Sequence, residues 1–485
     1  MTDVRPKGSS SHLNLYQHVA EELATAITNG TYRVGDRVPS VRQLARRMGV
    51  SISTVTQAYG LLVDRGVVEA RPQSGYFVCP QRMPLAPEPG TSQPAIQPMP
   101  VSTSSLTLDM LSGSASDDRL HLDTAPPAAD LLPISQLNRC IATVLREVPT
   151  AAAVYDEPFG RTELRVQIAR IMQYAGCQSG PDDVLVTSGC QEAITLCLRA
   201  VAKPGDTIAV ESPTFFGMLQ AIESLGMHAL EIPTHPRAGV RLDALAQALE
   251  QWPIRACLLM PTNSNPLGAS MSLDDRQRLV TLLRTHDVPL IENDVLGDLG
   301  FTPGPRPLPC KAWDTDGNVL FCSSFSKTVG PGLRVGWVTP GRYAERIRHL
   351  KLLTSFTTPT IEQLAIARFL ASGQYERHLT RARSEYAQRS AQLGNAVATT
   401  FPHGTRVTQP AGGTVLWVEL PDGYDTMRLY RQSIANGISI APGVLFTAQR
   451  RYRNALRLSA VHPFSERIES AVSTLASLAH LQQSG

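Results

Sequence analysis

Lysine is nearly absent from this sequence. Of its 45 basic residues, only Lys7, Lys203, Lys311, Lys327 and Lys351 are lysines, so chemistry that needs a lysine amine has five candidates. No apolar run approaches the ~18 residues of a membrane-spanning helix, which excludes such a span. The opening MTDVRPKGSSSHLNLY lacks the apolar stretch of a secretory leader. The cysteines (Cys79, Cys140, Cys177, Cys190, Cys197, Cys257, Cys310 and Cys322) form no CxxC pair. Zinc-ribbon and thioredoxin-like readings therefore fail, no metal site is expected, and a reduced cytoplasmic chain fits best. Charged residues are only 18% against 42% hydrophobic, a globular composition rather than a disordered one. At ~100–200 residues per domain, the 485 residues suggest about three units.

The net charge of +3 is unevenly placed. Residues 1–80 carry nine Lys/Arg against six Asp/Glu, while the rest holds 36 of each sign. The positive excess thus belongs to the N-terminal segment. It suits either contact with a polyanion or a solvated arginine-rich helix.

Residues 12–78 are helical and then strand-like in pattern. In LYQHVAEELATAITNG, Leu15, Val19, Leu23 and Ile27 share one helical face and Gly30 ends it. GDRVPS makes a turn. Ser40 can cap a helix that directs Val41, Leu44, Ala45 and Met48 inward, and Gly49 stops it. After the tight GVS turn, Ser51 or Ser53 starts a third helix through Val55, Tyr59 and Leu62, ending at Gly66. Two short helices about a Gly-containing turn form a helix-turn-helix pattern. VVEARPQSGYFV then reads as two strands about a turn at Pro72–Gly75, a wing whose turn includes Ser74 and Gly75. Arg42, Arg46 and Arg47 lie beside this unit, and Ser51, Ser53, Thr54 and Gln57 open its recognition helix. Short polar groups at a helix N-terminus reach phosphates and base edges while arginines hold the backbone, so double-stranded DNA is the expected partner. A three-helix bundle used only for protein contacts is the alternative.

Residues 79–118 differ. Seven prolines fall between Pro80 and Pro100, with no apolar periodicity, which predicts a semi-extended linker. From residue 119 onward, the apolar runs DDVLVTSG, DTIAVESP, RACLLMPT, VPLIEND, NVLFCSSFSK and RVGWVTP alternate with helical patterns. The expected fold class is α/β, a mostly parallel sheet covered on both faces. Residues of roughly 340–485, with the strands GTVLWVEL and NALRLSA, predict a smaller α+β lobe.

Several loops of this body carry chemistry. SSFSKTVGPGLRVG follows a strand and sets Lys327 among Ser324, Ser326 and Arg334. An amine that forms a Schiff base must be neutral, and burial beside an arginine lowers its pKa. The hydroxyls and the arginine suit a phosphate. VTSGCQEAI places the Ser188, Gly189 and Cys190 amides at a helix N-terminus, an anion cradle. ESPTFFG brings Phe215 after a strand, where its ring could stack on a flat cofactor. PTNSNPLG holds Asn265 in a loop, able to donate to a phenolate. NALRLSA offers Arg457 as a bidentate clamp for a carboxylate. Each piece taken singly has a plain explanation as turn, core or surface pair.

The pattern LYxxVxxxLxxxIxxGxxxxGxxxPSxRxLAxxxGVSxxTVxxAYxxLxxxGxxxxxxxSGxFV resembles the GntR-type winged helix-turn-helix. The family often has an arginine after the serine of the GVS turn, and Ile52 stands there. The ordered series YxxPxG, TSGxQ, ExPTF, NPxG, SxSKxxxPGLRxG and a late arginine resembles the fold-type I pyridoxal-phosphate aminotransferases. That resemblance implies pyridoxal 5'-phosphate linked to Lys327, its phosphate on Ser188, Gly189, Cys190, Ser324, Ser326 and Arg334, and Phe215 stacked on the ring. It also implies Asn265 at the ring hydroxyl, Arg457 at an effector carboxylate, and Tyr155 reaching the partner subunit's phosphate in a homodimer. The aminotransferases usually have Asp-x-x-Tyr where PLIENDVLGDL stands; Asn293 takes the aspartate position and Leu296 the tyrosine. A slip to Asp294 needs a bulge or an earlier strand end, because successive strand residues face opposite ways. Asn293 is the favoured partner of the ring nitrogen, and an amide cannot stabilise a pyridinium as a carboxylate does. Together the two halves resemble the MocR subfamily of regulators, which implies a cofactor-binding dimer on paired DNA half-sites that senses a small amine or amino acid. A working amino-acid aminotransferase with a secondary DNA reader is the alternative.

Overall fold

The structure, a computed structural model, describes residues 15–28, 31–32, 35–64, 67–71, 74–78, 86–104, 118–302 and 304–482. The chain divides into two compact units, residues 1–85 and 86–485. The helix stops expected at Gly30 and Gly66, and Pro72 of the wing turn, lie outside the described residues.

In the first unit, α1 (Leu15–Thr28), α2 (Val41–Met48) and α3 (Ile52–Asp64) precede an antiparallel pair, β1 (Val68–Arg71) and β2 (Gly75–Val78). Val19, Leu23, Ile27, Leu44, Val55, Tyr59 and Leu62 form one core. The turn between the helices is set locally. The Gln43 amide donates to Ser40 Oγ at 3.3 Å, the Ser40 amide donates to Gln43 Oε1 at 3.0 Å, and Gly49 ends α2 at φ +66°. The Thr54 amide donates to Ser51 Oγ at 3.1 Å, so Ser51 rather than Ser53 caps α3. Tyr59 joins helix to wing: its ring stacks on Tyr76 at 4.3 Å and its hydroxyl donates to the Pro39 carbonyl. Tyr59→Phe keeps the stack and orphans that carbonyl. Destabilisation of this unit by about 1–2 kcal/mol is expected in urea unfolding followed by tyrosine signals.

The second unit is built on a nine-stranded sheet. Its strands are β3 (Met99–Pro100), β5 (Leu185–Thr187), β6 (Thr207–Ser212), β7 (His228–His235), β8 (Gly239–Val240), β9 (Ile254–Leu259), β10 (Leu290–Asn293), β11 (Val319–Ser324) and β12 (Gly336–Thr339), and the short β4 (Leu120–His121) lies elsewhere. The order is β3-β7-β6-β9-β10-β11-β12-β5, parallel from β7 to β11, with β12 reversed against both neighbours and β8 paired with β7. Alternation explains the continuous apolar runs. Ile208, Val210, Ala256 and Leu258 enter one core, while Ala209, Cys257 and Leu259 enter another. Each face is covered, so most strand positions are apolar, and the polar ones such as Glu211, Glu292 and Asn293 gather toward the carboxyl ends. No helix among the described residues is long and apolar enough to cross a membrane.

A second sheet, β13 (Arg406–Val407), β14 (Val415–Glu419), β16 (Ala441–Pro442) and β17 (Ala455–Ser459), forms the small lobe in the antiparallel order β13-β14-β17-β16. β15 (Ile438–Ser439) pairs with β4, and Leu120 and Leu122 enter this lobe's core. Two boundaries differ from expectation. The small lobe does not begin near residue 340, because Ile347, Ile366, Phe369, Leu379 and Tyr386 pack into the large-lobe core and the small-lobe core starts at Leu393. Residues 86–104, assigned to the linker, are extended but belong to the second unit and bond to it. Backbone pairing of β3 with β7 accounts for that, and pairing of this kind leaves no side-chain periodicity to read. The remaining linker positions, 79–85 and 105–117, lie outside the described residues.

Candidate functional site

Parallel strands in an open α/β sheet present their carboxyl ends to one crevice, and ligands bind there. The loops leaving β5, β6, β10 and β11 begin with Ser188, Pro213, Asp294 and Phe325 at that edge.

After β5, Ser188 precedes the helix α4 (Gly189–Val201). Gly189 has φ +77°, and a Cβ there would lie 2.5 Å from Arg334 Nη2. A Cβ on Gly336 would lie 2.5 Å from the Gly189 carbonyl carbon. Both glycines are therefore required by close approach of Arg334 and of β12 to the helix N-terminus. Arg334 donates to the Ser188 carbonyl at 3.3 Å and to Ser326 Oγ at 3.5 Å, and the Ser326 amide donates to Ser324 Oγ at 3.4 Å. Ser188, Gly189, Ser324, Ser326 and Arg334 are thus brought together by direct contacts, gathering amides, hydroxyls and a guanidinium at the positive end of a helix dipole. Gly189→Ala should push Arg334 away from the Ser188 carbonyl.

Lys327 follows directly. Its ammonium donates to the Ala125 carbonyl at 2.5 Å. Burial, and then the positive charge of Arg457, lower the amine to about 8. Arg457, on β17 of the small lobe, is itself buried, and desolvation lowers it to about 10. It donates to the Asp123 carbonyl and, at 3.2 Å, to Asn265 Oδ1. The Phe446 and Phe216 rings lie 5.1 and 5.8 Å from its guanidinium carbon. Its Nε is buried with no hydrogen-bond partner among the described residues. A buried cation with an unused donor suits an anionic ligand atom.

Asn293 ends β10 and is buried. The Cys190 thiol donates to its Oδ1 at 3.5 Å and its amide faces Met218 Sδ at 3.5 Å. Asp294 points elsewhere, paired with Arg306 at 2.7 Å. The β10–β11 register runs without a shift from Leu290 to Asn293, so neither the bulge nor the earlier strand end that a slip to Asp294 needs is present there. Leu296 is buried in the core. Phe215 caps the helix α5 (Phe216–Ser224), with its ring so close to Gly217 that a Cβ there would lie 2.5 Å away. Tyr155 stands apart from these residues; it is 84% exposed, with its ring edge-on to Phe356 at 5.3 Å. The Ala125 and Asp123 carbonyls, Met218 and Phe446 complete the surroundings. Sequence reasoning missed them because a backbone acceptor and an apolar contact leave no motif.

In the first unit, Arg42, Arg46, Arg47, Ser51, Ser53 and Gln57 are exposed along α2 and the start of α3, and Thr54 is half-buried. Ser51 Oγ is engaged with Ser53 Oγ at 2.8 Å and Thr54 Oγ1 at 2.7 Å. Ile52 is 55% exposed on the same turn, an apolar surface where an arginine would reach out. Ser74 is exposed beside Gly75 at the wing, and Gly75 lies against the Arg37 guanidinium.

A winged helix-turn-helix followed by an α/β body with a half-buried lysine beside a helix N-terminus defines a DNA-binding regulator with an aminotransferase-like body. Residues 15–78 match the bacterial regulatory proteins of the gntR family, and residues 136–475 match aminotransferase class I and II. The chain is 40% identical over 458 residues to the uncharacterized HTH-type transcriptional regulator YjiR of Escherichia coli (strain K12), covering 94% of this chain and 97% of that one. It is 38% identical to YdcR of the same organism, over 96% and 98% of the two chains. The body is similar to the solved multiple substrate aminotransferase of Thermococcus profundus, at TM-score 0.73 and 28% identity over 78% of this chain and 96% of that one. It is also similar to LysN, the alpha-aminoadipate aminotransferase of Thermus thermophilus solved with N-(5'-phosphopyridoxyl)-L-leucine, at TM-score 0.72 and 27% identity over 80% and 96%. The chain belongs to the HTH-type transcriptional regulators of the MocR type, with a gntR-family reader and an aminotransferase class I and II body.

Proposed function

We propose that this regulator binds double-stranded DNA as a homodimer and holds pyridoxal 5'-phosphate at Lys327 to sense a small amine or amino acid. One observation carries the proposal. A lysine with its amine lowered to about 8 lies beside a buried arginine with an unused Nε, next to a cluster of amides and hydroxyls. Those residues fit the cofactor. A Cβ at Gly189 would collide with the Arg334 guanidinium and one at Gly336 with the Gly189–Cys190 backbone, so both glycines let the donors gather, and those donors match a phosphate monoester.

When bound, pyridoxal phosphate supplies an aldehyde that condenses with primary amines. The rest is done by the protein. Ser188, Gly189, Cys190, Ser324, Ser326 and Arg334 hold the phosphate. Asn265 spends its oxygen on Arg457, which leaves its amide hydrogens for the ring oxygen. Phe215 stacks on the ring, and Asn293 faces the ring nitrogen. Arg457 takes the effector's carboxylate through the unused Nε. A neutral amide at the ring nitrogen favours holding an effector over turning it over. The exposed Val154, Tyr155, Leu353 and Phe356, 60%, 84%, 69% and 44% exposed, form the kind of apolar patch that a second subunit covers. In that dimer Tyr155 would reach the partner's phosphate.

An effector alters DNA binding only if it prefers one arrangement of the protein over another. Titrating the protein with pyridoxal phosphate and then with a panel of amino acids should give a visible absorption band that one member of the panel displaces. Steady consumption of an amino acid with an oxo-acid acceptor would overturn this reading in favour of an aminotransferase.

A further inference from the structure

The proline-rich segment 86–104 touches both lobes of the body. On the small-lobe side, the Val407 amide donates to the Pro87 carbonyl at 2.9 Å and the Gln409 amide donates to Glu88 Oε1 at 3.0 Å. Ala95 exchanges two bonds, at 3.0 and 2.7 Å, with the side chain of Gln449, whose neighbours Thr447 and Ala448 bond to Glu231 of the large sheet. On the large-lobe side, the Ser92 amide donates to the Thr234 carbonyl at 3.0 Å, and the Thr234 amide donates to Ser92 Oγ at 2.8 Å. Trp252 Nε1 donates to the Ile96 carbonyl at 3.1 Å, β3 pairs with β7, and the Thr103 amide donates to Glu223 at 2.8 Å.

Glu88 is the junction. One oxygen accepts from Arg237, in the turn after β7 of the large lobe, and the other accepts from Gln409 of the small lobe. Arg237 in turn donates to Gln409 Oε1 at 2.8 Å. Strap, large lobe and small lobe therefore meet at three side chains.

The candidate site spans the same two lobes. Lys327 stands after β11 of the large sheet, and Arg457 stands on β17 of the small one. The lobes keep separate main cores, and a smaller cluster of Phe216, Leu267 and Ala269 against Trp417, Ala441 and Ala455 forms the seam between them. A ligand held at the cradle and Lys327 at one end and at Arg457 at the other fixes that spacing. We infer that the strap 86–104 is the coupling element of this regulator, its Glu88–Arg237–Gln409 junction reading the lobe spacing that a bridging ligand sets. In sequence, the strap leads straight back toward the DNA reader. This inference rests on the site reading proposed above and adds the route by which occupancy leaves the body.

The test uses the full-length protein and N-(5'-phosphopyridoxyl)-L-alanine, a stable amine carrying phosphate, ring and carboxylate. Inorganic phosphate, which reaches only the cradle, is the control. Hydrogen exchange of peptides within 86–104 is read by mass spectrometry, and probe binding is read by displacement of pyridoxal phosphate. The probe should slow strap exchange about fivefold or more, the lower end of ordinary allosteric coupling, and phosphate should not. In Glu88→Ala, and separately in Gln449→Ala, that difference should collapse while the probe still binds. DNA affinity on a duplex selected from a random pool should then lose its dependence on the probe. Unchanged strap exchange in wild-type protein that binds the probe would overturn the inference. Failure of the probe to bind at all would overturn the site reading instead, and the inference with it.

Discussion

Lys327→Ala should abolish the absorption band of the lysine-linked cofactor, leaving that of the free aldehyde in any pyridoxal phosphate still held by its phosphate. Lys311 and Lys351 give no substitute. Lys311 is tied to Asp314 at 2.8 Å, and Lys351 is buried against Ser355, Thr358 and Glu192. The pH dependence follows from the lowered amine. Only the neutral form attacks an aldehyde. With the amine at about 8, the rate of covalent capture in wild-type protein should level off above pH 8 and fall about tenfold per pH unit well below it. An unperturbed lysine would keep accelerating to about pH 10.4. Arg457→Met removes the second cause of the lowering, so the plateau should move to higher pH, and affinity for carboxylate-bearing amines should fall with it. Stopped-flow absorbance across pH 6–10 reads both effects. A plateau unmoved by Arg457→Met would mean that dehydration alone tunes the amine.

Arg42→Ala should weaken specific DNA binding by about 1–3 kcal/mol, the range of a good contact. Its side chain is exposed at the start of α2, beside Arg46 and Arg47. Substituting all three arginines should also flatten the dependence of log affinity on log salt, since every phosphate left without its cation takes about 0.9 off the slope. Ser53→Ala and Gln57→Ala should change sequence preference more than salt slope, because base-edge contacts carry specificity while phosphate contacts carry charge. Fluorescence anisotropy on a selected duplex, from about 50 to 200 mM salt, separates the two classes. If Arg42→Ala leaves affinity unchanged, the reader approaches DNA by another face.

Much of this protein is written locally. The helix-turn-helix is legible because its signals are short-range: Ser40 with Gln43, Gly49 at positive φ, and Ser51 ahead of α3. The α/β class is legible because strands buried on both faces carry nearly continuous apolar runs. The loops with Ser188, Asn265, Lys327 and Arg334 follow recognisable strands, so their order in the chain already suggests one site. Asn293 against Asp294 could be weighed from alternation, but the choice of face came from the unshifted β10–β11 register and the Asp294–Arg306 pair. Other features needed the folded chain. Residues 86–104 read as a semi-extended linker because their ties, backbone bonds together with the Glu88 and Ser92 side chains, reach residues more than a hundred positions away. The small-lobe boundary moved because Ile347, Ile366, Phe369, Leu379 and Tyr386 pack into the large-lobe core, which only the folded chain shows. The chemical state of Lys327 belongs to this second group as well. Its amine is set by burial and by a cation on another lobe, and neither can be seen from the residues beside it in the chain. Residue type and short spacing report which groups are available, while distance, enclosure and facing charge arise only where remote segments pack together.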